Sequence, residues 1–326
     1  MRRIGLAVVL VLCLLAPLTA QTQPTGKVPR IGVLSPGSSS ESPAVQREPF
    51  ERGLRELGWT PGSNIFIEYR YAEGIPERLA ELASDLVKLN VDVIVARSNP
   101  AVAAARKATA SIPIVMSSAN DPVTTGHVKS LAHPGGNVTG IANMVSELEA
   151  KRLELLKSAI SSLTRVGVLD NAGLRRPLGS ALVAAGRALG LEVQSFTVSA
   201  QTELAETFAA MSRAGIGAVL VRAEVLILEP NRTQIATLAA KHRLPAMYPW
   251  RFYVDVGGLM SYAESVPAFH HRSATYVDRI LKGAKPAELP VEQPAQFELV
   301  VSLKAARALA LTIPPSFLLR ADQVIE

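Results

Sequence analysis

The chain has 326 residues, 34 lysines and arginines against 28 aspartates and glutamates, 48% apolar and 5% aromatic residues, and a formal net charge of +6. That is too long for one small domain and far too apolar for a disordered chain, so two globular units are expected. The single cysteine, Cys13, excludes a disulfide framework and any cysteine-based zinc site.

The first twenty residues have the three parts of a secretory signal peptide. Arg2 and Arg3 form a cationic start, Ile4 to Ala16 is an uninterrupted small or apolar run of 13 residues, and Leu18-Thr19-Ala20 ends in a small residue. The run falls short of the ~20 residues that span hydrocarbon, and Pro17 breaks it. Lipid attachment through Cys13 is disfavoured by Leu12 before it. Cleavage after Ala20 would remove the only cysteine and both early arginines, lowering the formal charge from +6 to +4. No later apolar run is long enough to cross a bilayer, so the expected product is a soluble, monomeric periplasmic or extracellular protein whose stability rests on its core.

Short runs rich in Val and Ile then alternate with segments of helical period, the pattern of parallel strands joined by crossover helices. The first strand is Ile31 to Leu34, followed by a helix with Phe50, Leu54 and Leu57 inward and Gly58 at its end. A strand at Ile65 to Tyr69 precedes a helix striped by Ile75, Leu79, Leu82, Leu86 and Leu89. The strand Val91 to Ala96 leads to Asn99-Pro100, a cap plus a proline at the first helical position. Ile112 to Met116 leads to a second such signal at Asp121-Pro122, and the turn Pro134 to Asn137 feeds a strand at Val138 to Ile141. Ser146 and Glu149 have the spacing of a capping box. The alternation restarts with strands at Val166 to Leu169, Leu191 to Val198, Ile216 to Val221, Leu244 to Met247 and Leu259 to Tyr262. Two similar α/β halves of five strands imply two Rossmann-like lobes facing each other. The tail carries a helix with Phe269, Ser273, Tyr276 and Ile280, then a connector with Pro286, Pro290 and Pro294, then a strand at Phe297 to Ser302. It would cross between the lobes and make the hinge multi-stranded. Lobe one is expected over 28–145 with 264–295 returning to it, and lobe two over 146–263 with 296–326 crossing back.

Catalytic patterns are scarce. The five histidines, His127, His133, His242, His270 and His271, lack zinc-site spacing, and His270 and His271 point about 100° apart on a helix and read as a solvated face. No serine lies in a nucleophile elbow, and Gly135, Gly136 and Gly140 precede a strand instead of following one, against a dinucleotide loop. Basic residues are dispersed beside glutamates, which argues against nucleic acid as a partner. No metal or cofactor is expected.

In open parallel sheets, ligands bind beyond the carboxyl ends of the strands. That rule selects Ser35, Ser98, Asn99, Ser117 and Asp121 in the first half, and Asn171, Arg222 and Tyr262 in the second, as the residues lining an interlobe cleft. Asn99 and Asp121 also suit simple caps, and Ser35 and Asn171 suit turns. Tyr248 and Trp250 fit hinge packing better than ligand stacking. Arg222, directly after a buried strand, either pairs with Glu224 or another lobe, or offers a fork to a carboxylate.

Asp121-Pro122-Val123, Ser130 to Gly140 (SLAHPGGNVTG), Lys151 to Leu156, Gly257 to Tyr262 (GGLMSY), Ile280 to Pro286 with Leu289-Pro290-Val291, and the closing Ala321 to Glu326 resemble the ABC transporter substrate-binding proteins related to tryptophan and tyrosine binders. The resemblance implies a type I periplasmic binding protein fold and a role as the solute-binding component of an ABC import system. Such a protein holds a small solute, an amino acid or related compound, between its lobes and delivers it to a permease. Where relatives usually carry Gly-Thr-Pro after the third strand, this chain has Ser98-Asn99-Pro100, which changes the ligand contact there. A ligand sensor that partners a receptor would share every site residue. An exported enzyme would need a nucleophile and a base in the cleft, and Ser98 or Ser117 within hydrogen-bond reach of a histidine would favour it.

Overall fold

In a computed structural model of the chain, residues 27–38, 47–143, 145–174, 177–224, 226–294 and 296–326 are described. The expected signal peptide, residues 1–20, lies outside them.

The first half runs β1 (Arg30–Ser35), α1 (Arg47–Glu56), β2 (Phe66–Tyr71), α2 (Arg78–Lys88), β3 (Val93–Arg97), α3 (Ser98–Ala108), β4 (Ile114–Asn120) and β5 (Val138–Asn143). These strands form an all-parallel sheet of order β2-β1-β3-β4-β5. The second half repeats the design: α4 (Val145–Ala159), β6 (Arg165–Asn171), α5 (Ser180–Ala188), β7 (Glu192–Val198), α6 (Leu204–Arg213), β8 (Ala218–Val221), α7 (Arg232–Lys241), β9 (Ala246–Tyr248), α8 (Phe252–Asp255) and β10 (Met260–Ala263). The expected alternation of buried strands and crossover helices is therefore present in both lobes, and the fold is α/β with parallel, Rossmann-like sheets.

The tail changes the second sheet. α9 (Val266–Leu281) returns to the first lobe, where Phe269, Tyr276, Val277 and Ile280 pack with Phe50 and Leu54 of α1. The connector stays there as far as the bridge between Ile141 and Glu292, and the chain then re-enters the second lobe as β11 (Glu298–Ser302). After α10 (Leu303–Ala308) and α11 (Pro315–Leu318), β12 (Gln323–Ile325) completes it. That sheet has seven strands, in the order β12-β11-β10-β9-β8-β6-β7, instead of five, because β11 pairs antiparallel with β10 and carries β12 on its outer edge. The chain thus passes between the lobes three times.

Each sheet is covered on both faces, so its central strands, such as β3, β4, β6 and β8, are almost wholly buried, while the edge strands β2, β7 and β12 are only partly so. In lobe one, α2 and α3 cover one face with Leu79, Leu86 and Val102, and α1 and α9 cover the other. In lobe two, α4 and α5 lie over one face with Leu153, Leu156 and Leu182, and α6 and α7 over the other with Phe208, Met211 and Ile235.

Several local expectations are corrected. The stripe of α2 starts at Leu79, since Ile75 precedes the helix and is 49% exposed. Asn99 is not a cap: α3 begins at Ser98. Asp121-Pro122 opens turns, not a helix, and Asp121 has φ +44°. Ser146 falls inside α4, so it does not cap it, and its side chain lies outside the described residues. Gly140 is required by close approach: it has φ +128°, and a Cβ there would run into the backbone of Met116 on the adjacent strand.

Candidate solute-binding cleft

Both sheets follow the same order, in which the second strand of each half lies outside the first and the third begins the other side. Their topological switch points lie between β1 and β3 in lobe one and between β6 and β8 in lobe two, and the crevice beyond the strands' carboxyl ends there is the preferred binding place of such sheets.

In lobe one that crevice is built by Ser35 at the end of β1, Arg97 at the end of β3 and Ser117 on β4, with His270 reaching in from α9. These residues, with Tyr69 and Tyr71 of β2, line a small cavity of about 20 Å³. The Ser35 hydroxyl accepts the Gly37 N–H at 3.2 Å. Ser117 Oγ lies 3.3 Å from His270 Nδ1, and both residues are buried. His270 is therefore not on a solvated face; only His271 is exposed enough to meet Glu56, at 2.7 Å. Burial, with a smaller contribution from the Arg97 guanidinium, pushes the His270 pKa down to about 3, so the ring is neutral. Its Nε2 has no hydrogen-bond partner.

Ser98 follows Arg97 with φ +67°, a region that β-carbons resist, and its buried hydroxyl has no partner. A glycine would adopt this conformation freely. Asn99 clamps the end of β4, accepting the Asn120 N–H and donating to the Asn120 carbonyl, both at 2.9 Å. Asp121 is exposed next to it, and its carbonyl accepts from Thr125.

In lobe two, Asn171 at the end of β6 accepts the Gly173 N–H at 2.8 Å. Arg222, after β8, does not pair with Glu224. Its guanidinium donates to both oxygens of Glu149, at 2.7 and 3.0 Å, and to Asp170 at 2.8 Å, all buried. Burial opposes the charge on Arg222, but the hydrogen bonds to Glu149 and the charge of Asp170 outweigh it and raise its pKa. The glutamate of the apparent capping box is thus half of a buried ion pair. Tyr262 stands apart from the switch point, stacked on Phe297 at 5.8 Å, with its carbonyl accepting from Arg152.

Glu224 has a different task. Its carboxylate accepts the backbone N–H groups of Leu226, Ile227 and Leu228 at 2.6 to 2.8 Å, which fixes the turn that carries Glu229. Glu229 then reaches across to lobe one, where Arg97 Nη2 donates to its two oxygens at 2.8 and 3.0 Å. Their side chains are only 6% and 5% exposed. This ion pair joins the two switch points, and neither residue was among those selected from the sequence. The rule that drew attention to Arg222, a charge directly after a buried strand, applies equally to Arg97. Glu229 carries a weaker sign, a lone carboxylate closing the run Leu226 to Leu228.

Residues 32–325 match the family described as ABC transporter substrate binding protein. The chain belongs to that family. This substrate-binding protein is 26% identical over 262 residues to a tyrosine-binding protein of Clostridioides difficile, covering 80% of this chain and 75% of that one. Among solved structures, it is similar to an ABC domain of Streptococcus pneumoniae in complex with L-Trp, with TM-score 0.82 and 26% identity over 92% of this chain and 100% of the other. It shares the fold, at TM-score 0.68 and 24% identity, with the ligand-free, open structure of a substrate-binding protein with adhesive properties from Clostridium difficile, covering 92% and 99% of the two chains. The described residues contain no helix long and apolar enough to cross a membrane and no cluster of His, Cys, Asp and Glu that could hold a metal.

Proposed function

We infer that this chain is the exported solute-binding component of an ABC import system, and that it takes a small solute, an amino acid or related compound, between its lobes and presents the closed form to a permease. The lobes are assigned to 28–145 with 264–295, and to 146–263 with 296–326. The observation that carries the reading is the Arg97–Glu229 pair, which places buried charge of both signs at facing switch points. Hinge bending about three crossing segments interconverts open and closed forms, and a solute touching both lobes favours the closed one by its differential affinity.

Among the described residues of the cleft, the Ser117–His270 pair is the arrangement that would favour an exported enzyme. It is a poor nucleophile and base. A histidine with a pKa of about 3 has little basicity to accept the serine proton at neutral pH, and Nδ1, the nitrogen a carboxylate would orient, faces the serine itself. Binding without catalysis is therefore the better reading, with a periplasmic sensor as its nearest alternative.

A thermal-shift screen of the chain from Gln21 onward against amino acids, sugars, purines and organic acids tests it. A true solute at about a hundred times its Kd adds about 2.7 kcal/mol of stability. If no solute raises the melting temperature of the wild type by more than it raises that of a chain altered at Ser98, Asn99 and Asp121, each compared with its own ligand-free melt, the cleft is not a binding site.

A further inference from the structure

The crossing from β10 to α9 is a short link: only Glu264 and Ser265 separate the two elements. Beside it, α4 belongs to lobe two, where Leu153 and Leu156 enter the core. Beyond it, α9 belongs to lobe one. It lies so close to α1 that a Cβ on Gly53 would fall 2.6 Å from the His271 carbonyl oxygen, so the two helices move as one body. A rotation of one lobe against the other is therefore taken up in part at Glu264 and Ser265, since hinges are the few element-terminal residues that absorb such a change. The link has room to move: Glu264, Ser265 and Val266 border a cavity of about 300 Å³.

Arg152 of α4 sits next to this link. Its Nε donates to the Tyr262 carbonyl at 2.7 Å and its Nη2 to the Pro249 carbonyl at 3.2 Å, which ties it to β10 and to the end of β9 in lobe two. Its third nitrogen, Nη1, is buried without a hydrogen-bond partner. Glu264 is its complement: the residue is 6% exposed, and its buried Oε2 has no partner either. The two opposite charges act on each other, each favouring the other's charged form against the cost of burial. Yet a donor and an acceptor stay unpaired in one buried region, whereas Glu149, Asp170 and Glu229 are each held by an arginine. Orphaned buried groups are costly, and charged ones more so. Glu264 is joined to α9 and moves with lobe one, while Arg152 stays with lobe two, so hinge bending changes their separation. One new hydrogen bond would satisfy both orphaned atoms.

We propose that Arg152 and Glu264 are a hinge latch that pairs when the switch points separate. The inference rests on the hinge bending proposed above. The chain then exchanges one ion pair for another: Arg97 with Glu229 when the lobes meet, and Arg152 with Glu264 when they part. The latch offsets part of the cost of opening. A solute that closes the lobes has to break it, so the latch lowers the apparent affinity by lowering the fraction of chains in the closed form.

The test uses the solute-free chain from Gln21 onward, with spin labels at Lys88→Cys and Lys241→Cys, both exposed, to report the interlobe distance. Arg97→Met removes the pair across the cleft and populates the separated form. Adding Glu264→Gln to that chain should lower the ratio of long to short distances by about tenfold, the worth of one charge-assisted hydrogen bond. In a chain that also carries Arg152→Met, the same substitution should leave the ratio unchanged. Melting curves establish that each variant is folded. A ratio unaltered by Glu264→Gln, or a shift of equal size in the absence of Arg152, would overturn the proposal. A long distance in the Arg97→Met chain that Glu264→Gln does not shorten would leave hinge bending standing while the latch fails, whereas one distance shared by the wild type and every variant would remove the hinge bending itself.

Discussion

Glu229→Gln should open the cleft. The substitution keeps the size of the side chain but leaves the Arg97 guanidinium, 6% exposed, facing a neutral amide. Removing one partner of a buried ion pair costs about 3–5 kcal/mol, because the remaining charge stays desolvated. Opening the lobes returns that charge to water, so the cost falls on the closed form alone, and at tenfold per 1.4 kcal/mol the closed-to-open ratio drops by roughly a hundredfold to a few thousandfold. Arg97→Met should act in the same way. The double variant Arg97→Met with Glu229→Leu should recover most of the loss, since a buried pair replaced by apolar groups is often neutral. The only native cysteine is Cys13, so in the chain from Gln21 onward, spin labels at Lys88→Cys and Lys241→Cys, both exposed, report the interlobe distance cleanly. Pulsed dipolar spectroscopy should show a longer distance in each single variant and a return in the double. Identical distributions in all four chains would refute the argument that this pair holds the lobes together.

Three further outcomes follow from the same geometry. Arg222→Met strands Glu149 and Asp170 inside lobe two and should lower stability by about 3–5 kcal/mol in urea denaturation. His270 is pushed from the usual 6.5 down to about 3, so the unfolded chain binds the extra proton between those values. Its contribution is complete above about pH 6.5 and is lost as pH falls toward 3, on the order of 5 kcal/mol, and His270→Leu should flatten that part of the stability profile. Ser98→Gly relieves a positive φ of +67° and deletes an unpartnered hydroxyl, so it should raise stability by about 1 kcal/mol in the same denaturation assay, while weakening any solute that this hydroxyl contacts.

The fold was legible because the strands are buried on both faces: Val93 to Ala96 and Ala218 to Val221 cannot be amphipathic, and their apolar runs recur at crossover spacing. The seventh strand, Gln323–Ile325, was not, since its residues are half-exposed at a sheet edge and carry no periodic signal. Candidate positions at strand ends were partly legible. Ser35 and Ser117 do line one crevice, because Ser35 ends β1 at the switch point and Ser117 lies on β4, next to β3. What decides the electrostatics was hidden by sequence separation. Arg97 and Glu229 are 132 residues apart, Arg222 and Glu149 are 73 apart, and His270 reaches Ser117 across 153 residues. Local patterns at Glu149 and His270 pointed instead to a helix cap and a solvated face, and tertiary pairing overrode both.

The central claim is that a solute is held between the two lobes, and the spin-labelled Arg97→Met chain, opened by its substitution, tests it most directly. Adding a solute that raises the melting temperature should shift the interlobe distance back to the short, closed value as the site fills. A distance that stays long while calorimetry shows the solute fully bound would place the solute on one lobe and contradict the account.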